Sequence, residues 1–412
     1  MASAALSHLR ICDFTGQLAG AGATRHLGSF GAEVIRIEDP VRRGRWDILR
    51  GSPPFKDERR GNEFGSAFSN HNVAKLGITI NMRTERGREL FEELVKVSDA
   101  VTENFAAGVV ERMGYGYEQL KGLKDDIIYV SNCGFGHTGP YASFKSWGPI
   151  AQAVSGLTAT SGLPDMPPAG WGYSYMDHHG GYFMCLGILA ALLHRERTGE
   201  GQWVDMSCSE AGAHMLGPAV LDYTINGRPT NGPGAPNSNR DATGTMAPHG
   251  IYRTEGADNW VAISVRDDGE WKALAGIIDQ PWAQGATLAT LAGRLEHQDA
   301  LDADLDRWTA AQDRQRLADR LQALGIPAAA VARPSERIDQ DPNTELWGLW
   351  PTVNHGAMGE VRVDGVPVHL SRTDWEIERA APLLGADNEY VFSEILGLTG
   401  TEIGTLREDG TI

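Results

Sequence analysis

Short apolar runs separated by glycine, proline and polar residues dominate the first half of the chain. Residues 9–14 and 33–38 (EVIRIE) are β-branched and apolar, and each predicts a strand. Between them lie a glycine-rich turn, GQLAGAG from Gly16, and a short helix ending near Gly28. This β-α-β opening predicts a parallel sheet with helices on its faces. Further strands are expected at 77–81, 100–104 and 127–132. A helix is expected at 84–97, with Leu90, Leu94 and Val97 on one stripe. Residues 39–61 read as a polar loop holding Pro40, Pro53 and Pro54, and a turn-rich segment follows at 134–140. A helix is expected over 180–195, closed by His194, Arg195 and Arg197 and stopped by Gly199 and Gly201. A strand follows at 203–206.

The second half changes character. Residues 226–244 are rich in Gly, Pro and Asn and read as a linker or loop. A strand at 260–265 and helices over 270–324 suggest a smaller second domain. Strands at 326–331 and 360–363 and a helix at 388–398 complete the pattern. The expected fold is α/β: a large parallel-sheet domain over 1–215 and 326–412, and a small α+β domain over 216–325. A chain of 412 residues is too long for one simple core, which supports two domains.

Charge narrows the partners. The formal net charge of -17 argues against nucleic acid and anionic membrane surfaces. An anionic small molecule would need a local basic pocket. Cys12, Cys133, Cys185 and Cys208 form no C-x-x-C pair and read as free thiols. Residues 1–10 carry no long apolar leader, and the longest apolar run, 183–193, is too short to span a bilayer, so a cytoplasmic protein is expected.

Asp177 is the most informative candidate. It stands in GYSYMDHHGG, a single carboxylate among glycines and aromatics ahead of an apolar helical run. It suits an N-cap. It equally suits a nucleophile toward an activated acyl group, held at a helix start near backbone N–H groups. Trp171, Tyr173 and Tyr175 would wall off water. His178 and His179 point about 100° apart on a helix and do not converge on a metal with Asp177, so no metal site is expected. The turn from Gly16 and the acid Glu38 fit either an incomplete dinucleotide fingerprint or an ordinary tight β-α turn. Arg36, Arg42, Arg43 and Arg45, with Lys75 and Arg112 further on, are either a solvated basic group or a phosphate seat. His137, in GFGHTGP, is a surface histidine or a general base.

Several motifs together resemble the class III CoA-transferase family, also called formyl-CoA transferase or carnitine dehydratase-like. They are CDFTGQLAG from Cys12, LGSFGAEVIRIE from Leu27, ENF from Glu103 with RMGY from Arg112, and GILAAL from Gly187 through Gln202. GIP from Gly325, Asp341-Pro342, APLLG from Ala381 and LGL from Leu396 continue the likeness to the far end. The resemblance implies a Rossmann-like domain built from both chain ends, a small domain from the middle, and two subunits interlocked like links. It implies that Asp177 carries the acyl group as a mixed anhydride and then CoA as an aspartyl thioester. It implies CoA contacts from Gln17, Leu18, Ala19, Arg42, Lys75, Asn104, Phe105 and Arg112. Coenzyme A and acyl-CoA are then substrates, with no permanent cofactor.

Racemases of the same family use a His–Asp pair. Here SWGP from Ser146 puts Gly148 at the histidine position, which favours transfer. Trp147, Trp171, Tyr173 and Tyr175 suggest a bulkier or aromatic acyl group rather than formyl or oxalyl, and an aromatic or dicarboxylic acceptor is expected. The resemblance extends to one subunit of the benzylsuccinate CoA-transferases, with succinyl-CoA as donor and a related chain as partner. A CoA-binding partner subunit and a nicotinamide-dependent dehydrogenase are the competing readings.

Overall fold

The computed structural model describes residues 4–229 and 237–412. Residues 230–236 of the expected linker lie outside the described residues. The chain divides into two compact units. Unit 1 holds Met1–Thr158, Gly170–Asn226 and Pro342–Ile412, and unit 2 holds Ala159–Ala169 and Gly227–Asp341.

Unit 1 is built on β1 (Arg10–Asp13), α1 (Ala19–Ser29), β2 (Glu33–Glu38), α2 (Ser66–His71), β3 (Lys75–Thr79) and α3 (Glu85–Lys96). It continues with β4 (Ala100–Glu103), β5 (Ile128–Cys133), α4 (Gly148–Ser155), α5 (Tyr175–Thr198), β6 (Trp203–Ser207), α6 (Cys208–His214) and α7 (Pro218–Asn226). Six parallel strands form one sheet in the order β3-β2-β1-β4-β5-β6. Alternate residues of each strand face opposite ways. Cys12, Ile35, Val101 and Tyr129 therefore pack under α3, against Leu90, Phe91 and Leu94. Ile11, Val34, Ile128 and Val130 pack on the other face, against Leu27 of α1 and Met184 and Ile188 of α5. Thr84 caps α3 by accepting a hydrogen bond from Gly87 N–H. Val97, expected on the buried stripe, ends the helix and is exposed.

Unit 2 holds β7 (His249–Arg253), β8 (Trp260–Ser264), α8 (Asp268–Ile278), α9 (Gln298–Thr309), α10 (Arg314–Gln322) and β9 (Ala328–Ala330). Its three strands form an antiparallel sheet in which Ala328–Ala330 pairs with Val261–Ile263. That pairing moves the strand expected at 326–331 out of the large domain. The boundaries expected at 215 and 325 accordingly fall after Asn226 and Asp341.

Back in unit 1, β10 (Thr352–His355) and β11 (Gly359–Arg362) form a separate antiparallel hairpin. The strand expected at 360–363 thus belongs to that hairpin and not to the main sheet. The helix expected at 388–398 is a short turn at Asn388–Tyr390 followed by a wider turn at Val391–Ile395; α11 (Gly400–Glu408) comes after it. Val391, Phe392, Ile403 and Leu406 enter the core under α3.

A buried charge cluster fixes the strand ends. Asp13, fully buried, accepts hydrogen bonds from Thr15, Thr24, Thr102 and the Lys75 ammonium, the last at 3.1 Å. Lys75 gives its other protons to Ala21 O and Asn72 Oδ1. Burial would raise the Asp13 carboxyl, but Lys75 and Arg36 outweigh it and hold it below its ordinary value. Burial pushes the Lys75 ammonium down to about 8, against the opposing pull of Asp13. Lys75→Met leaves the Asp13 carboxylate buried without its cation. It is expected to destabilise unit 1 by about 3–5 kcal/mol, and adding Asp13→Asn should recover part of that loss. Denaturant melts of the two single variants and the double variant check this; a loss in the double variant equal to the sum of the two single losses would show that the pair is not coupled.

Candidate active site

The order 3-2-1-4-5-6 reverses between β1 and β4, and in open parallel sheets ligands bind beyond the strand ends at such a reversal. The side chain of Asn104 bridges the loops there. It accepts from Gly16 N–H at 2.7 Å and donates to Gly16 O at 3.0 Å. Phe105 follows, its ring 5.2 Å from that of Trp46. Next to them opens a cavity of about 300 Å³, floored by Phe14, Ile37, Ile80, Met82 and Phe105 and rimmed by Arg42, Arg83 and Arg88. An apolar floor with guanidinium groups at the rim suits a flat ring carrying phosphates.

The expected CoA contacts fall into two groups. Arg42 and Phe105 line this cavity. Asn104 pins its edge, Gln17 and Leu18 lead into α1, and Ala19 opens that helix. Arg112 is exposed, on the short helix from Val109 whose neighbours Val109 and Met113 line the cavity. Lys75 does not join them. All its ammonium protons are used inside the sheet, so none is left for a phosphate, and its work is structural. Arg36 is also fully buried, donating to Asp47, Asn72 and Thr15 O. Arg42, Arg43 and Arg45 remain exposed. Glu38 is held twice by Arg50 and is fully buried, so it is not free to bind a ribose. Trp46, Met82, Arg83 and Arg88 were not singled out in the sequence. They come together only through the sheet order, although their aromatic, sulfur and guanidinium groups are visible in the chain.

Asp177 sits in the first turn of α5, which begins at Tyr175 with Ser174 as N-cap. The helix therefore starts ahead of the glycine pair that was expected to open it, and Asp177 is not the cap. Gly180 and Gly181 are interior because neighbours approach closely. A Cβ on Gly181 would lie 2.8 Å from Ala19 O of α1, which draws the starts of α1 and α5 together. Gly148, at the start of α4, faces Asp177 in the same way: its Cβ would lie 3.0 Å from Asp177 Oδ2 and 2.8 Å from Ser174 Cβ. The carboxylate thus lies where two helix N-termini meet, a favourable place for negative charge. Burial nevertheless pushes its pKa up to about 6, with the Ser174 hydroxyl pulling the other way.

The flanking aromatics behave differently from expectation. Trp171, Tyr173 and Tyr175 contact one another at ring distances of 5.2 and 5.9 Å and stay half exposed, as does Trp147. His137 is not a surface group. Its buried side chain stands between Asp205, at 3.0 Å, and Glu103, at 3.8 Å, tying β4, the β5 loop and β6 together. Burial pushes the Glu103 carboxyl up to about 8. Among the described residues no three His, Cys, Asp or Glu side chains gather as metal ligands. No described helix is long and apolar enough to cross a membrane.

The model of CoA-transferase family III matches residues 6–388. The chain belongs to that family. It is a CoA-transferase, and enzymes of this kind use CoA thioesters as substrates. The chain is 32% identical, over 98% of its own length and 98% of the relative's, to succinyl-CoA:mesaconate CoA-transferase of Haloarcula marismortui. It is also 32% identical to formyl-CoA:oxalate CoA-transferase of Streptomyces coelicolor, over the whole of both chains. A CAIB/BAIF family protein from Brucella suis has a similar fold, with a TM-score of 0.84 at 28% identity over 94% of this chain and 98% of that one.

Two variants test this geometry. Asp177→Asn removes a carboxylate whose ionised form is disfavoured by burial. A raised carboxylate pKa costs stability above it, so the variant should melt higher than the parent at pH 7–8, with the gain fading below about pH 4; a lower melting point at pH 8 would contradict the burial argument. Gly148→Ala places a methyl against Oδ2. It should lower kcat/KM about tenfold or more while leaving affinity for free CoA unchanged, and unchanged turnover would show that the space is not used.

Proposed function

We propose that this enzyme moves CoA between carboxylic acids through covalent intermediates on Asp177. The observation that carries the reading is the Asp177 carboxylate, buried where the starts of α4 and α5 meet, with Gly148 facing it and the Ser174 hydroxyl hydrogen-bonded to it. In the proposed cycle Asp177 attacks the thioester carbonyl of the donor. The carbon–sulfur bond breaks, CoA leaves as the thiolate and a mixed anhydride remains. The thiolate attacks the aspartyl carbonyl, releases the donor acid and leaves an aspartyl-CoA thioester. The acceptor carboxylate attacks that thioester, and the two steps then run in reverse. The thioester's free energy is kept as long as water is excluded.

The 300 Å³ cavity would take the nucleotide end of CoA, with Arg42, Arg83, Arg88 and Arg112 near its phosphates and Asn104, Gln17, Leu18 and Ala19 along its path. Succinyl-CoA is the proposed donor, supported by the likeness to the succinyl-CoA:mesaconate CoA-transferase of Haloarcula. Proton abstraction next to the thioester is disfavoured, because Gly148 offers no base and His137 is committed to Asp205 and Glu103. A second chain is part of the proposal. Tyr182, Leu186, Leu189 and Leu193 form one stripe on α5, each at least 40% exposed, and Leu221, Tyr223 and Ile225 of α7 are more so. Apolar faces of this extent suit burial against an interlocked partner.

Incubation with succinyl-CoA, borohydride reduction and peptide mass measurement should find Asp177 reduced to the alcohol, and Asp177→Ala should lack that mass. Turnover with an unmodified peptide would overturn the covalent route. Because the nucleophile must be ionised, kcat/KM should fall about tenfold per pH unit below about pH 6, and a flat profile from pH 7 to 5 would count against Asp177 as nucleophile.

A further inference from the structure

The transfer cycle leaves unused a buried cluster of titratable groups at the ends of β4, β5 and β6. Glu103 closes β4 and is only 1% exposed. Its Oε2 accepts a hydrogen bond from Phe105 N–H at 2.7 Å, and its Oε1 accepts from the Tyr129 hydroxyl at 3.2 Å. His137 Nε2 stands 3.8 Å from the same Oε1, while His137 Nδ1 lies 3.0 Å from Asp205 Oδ1. The Trp203 ring covers the cluster, edge-on to His137 with the centroids 5.5 Å apart.

Donors and acceptors fix where the protons sit. An ionised carboxylate only accepts, so Asp205 takes the Nδ1 proton and Nε2 is left facing Glu103. Burial raises the Tyr129 phenol, so its hydroxyl stays a donor. With Glu103 ionised and His137 neutral, two bare acceptors would oppose each other away from water, a costly arrangement. One proton between Oε1 and Nε2 removes the conflict, whichever atom carries it. No other group nearby offsets a negative charge on Glu103. Glu111 and Asp205 repel it, and the Cys133 thiol, pushed up to about 11 by burial, brings no cation. Burial accordingly pushes Glu103 up to about 8, and the cluster keeps its shared proton at pH 7.

The same carboxyl sets the backbone at the edge of the 300 Å³ cavity. Phe105, whose N–H it holds, lines that cavity beside Trp46, and Asn104 is clamped to Gly16 N–H and Gly16 O. Neither Glu103 nor His137 lines the cavity, so the carboxyl acts only through the residues it holds.

We infer that Glu103 is a positioning residue for CoA: its carboxyl, joined to His137 by one shared proton, fixes the Asn104–Phe105 wall of the cavity. The inference rests on the assignment of that cavity to CoA and names what keeps its wall in place.

Titration calorimetry of free CoA into the full chain tests this. Glu103→Leu removes both acceptors and should weaken CoA about tenfold or more. Glu103→Gln keeps an acceptor for Phe105 N–H and a donor toward Nε2, and should restore the affinity to within about threefold of the parent. The shared proton is present below about pH 8 and lost above it. From pH 7 to 9 the parent should therefore lose affinity more steeply than Glu103→Gln, which has no carboxyl to ionise. A merely structural role would lower the number of binding sites per chain and leave the affinity of the remaining sites unchanged. That result in Glu103→Leu, or identical pH profiles for the parent and Glu103→Gln, would overturn the proposal; the second comparison stands even where Glu103→Leu does not fold. Arg83→Ala at the cavity rim separates the two readings. Weakened CoA in Arg83→Ala with parental affinity in Glu103→Leu keeps the cavity and removes the positioning role. Parental affinity in both removes the cavity assignment and the positioning role with it. The borohydride trap at Asp177 reads the covalent route alone.

Discussion

The buried hydrogen-bonded pair of Asp13 and Lys75 holds the ends of β1 and β3, and the rest of unit 1 is arranged around it. Charges taken so far from water persist only when every acceptor and proton is matched. The matching partners here come from the turn after β1, from α1, from β4 and from the start of β3. Arg36 extends the cluster outward to Asp47, and Arg50 ties Glu38 to Glu63 and to Pro382 O. The long polar loop after β2 is thereby fastened at its root and free at its tip, where Arg42, Arg43 and Arg45 are exposed. The sequence shows many arginines in one stretch; the structure divides them between holding the loop and standing exposed at its tip, with Arg42 at the rim of the cavity.

Close approach of backbones is the second organising constraint. Two positions without side chains, Gly148 and Gly181, let α4 and α1 come within contact distance of the first turns of α5. The position of Asp177 follows from packing, and its ionisation follows from burial opposed by the surrounding dipoles. A carboxylate pushed up to about 6 stays ionised at neutral pH yet is more basic, and so more nucleophilic, than an exposed one.

What was legible in the chain was mostly local. The EVIRIE strand, the β-α-β opening, the Thr84-capped helix and the end of α5 at Gly199 follow from periodicity and punctuation. The start of α5 was not legible, because glycines read as helix breakers until the crossing with α1 is known. Lys75 was placed among the CoA contacts through the resemblance and grouped with the arginines after β2; only the Asp13 side chain, far away in sequence, turns it in. The strands at 326–331 and 360–363 were recognisable as strands, but their partners were not, since pairing is a long-range property. Asp177 was found through neighbours and resemblance, whereas the cluster of Glu103, His137 and Asp205 joins the ends of three strands and leaves no local signal.

The open edge of β3 has a consequence for how the chain is made. Gly77 N–H and Thr79 N–H are not taken by another strand. They donate to the side chains of Asp387 and Asn388, and Asn81 N–H donates to Thr411 O. All six strands of the sheet have left the ribosome long before those residues exist. During that interval a growing chain displays a bare strand edge ready to pair with any other strand, including that of a neighbouring nascent chain. The segment that closes it is synthesised well after β6, so the time spent between residues 79 and 387 is a window of exposure that the folded molecule no longer shows.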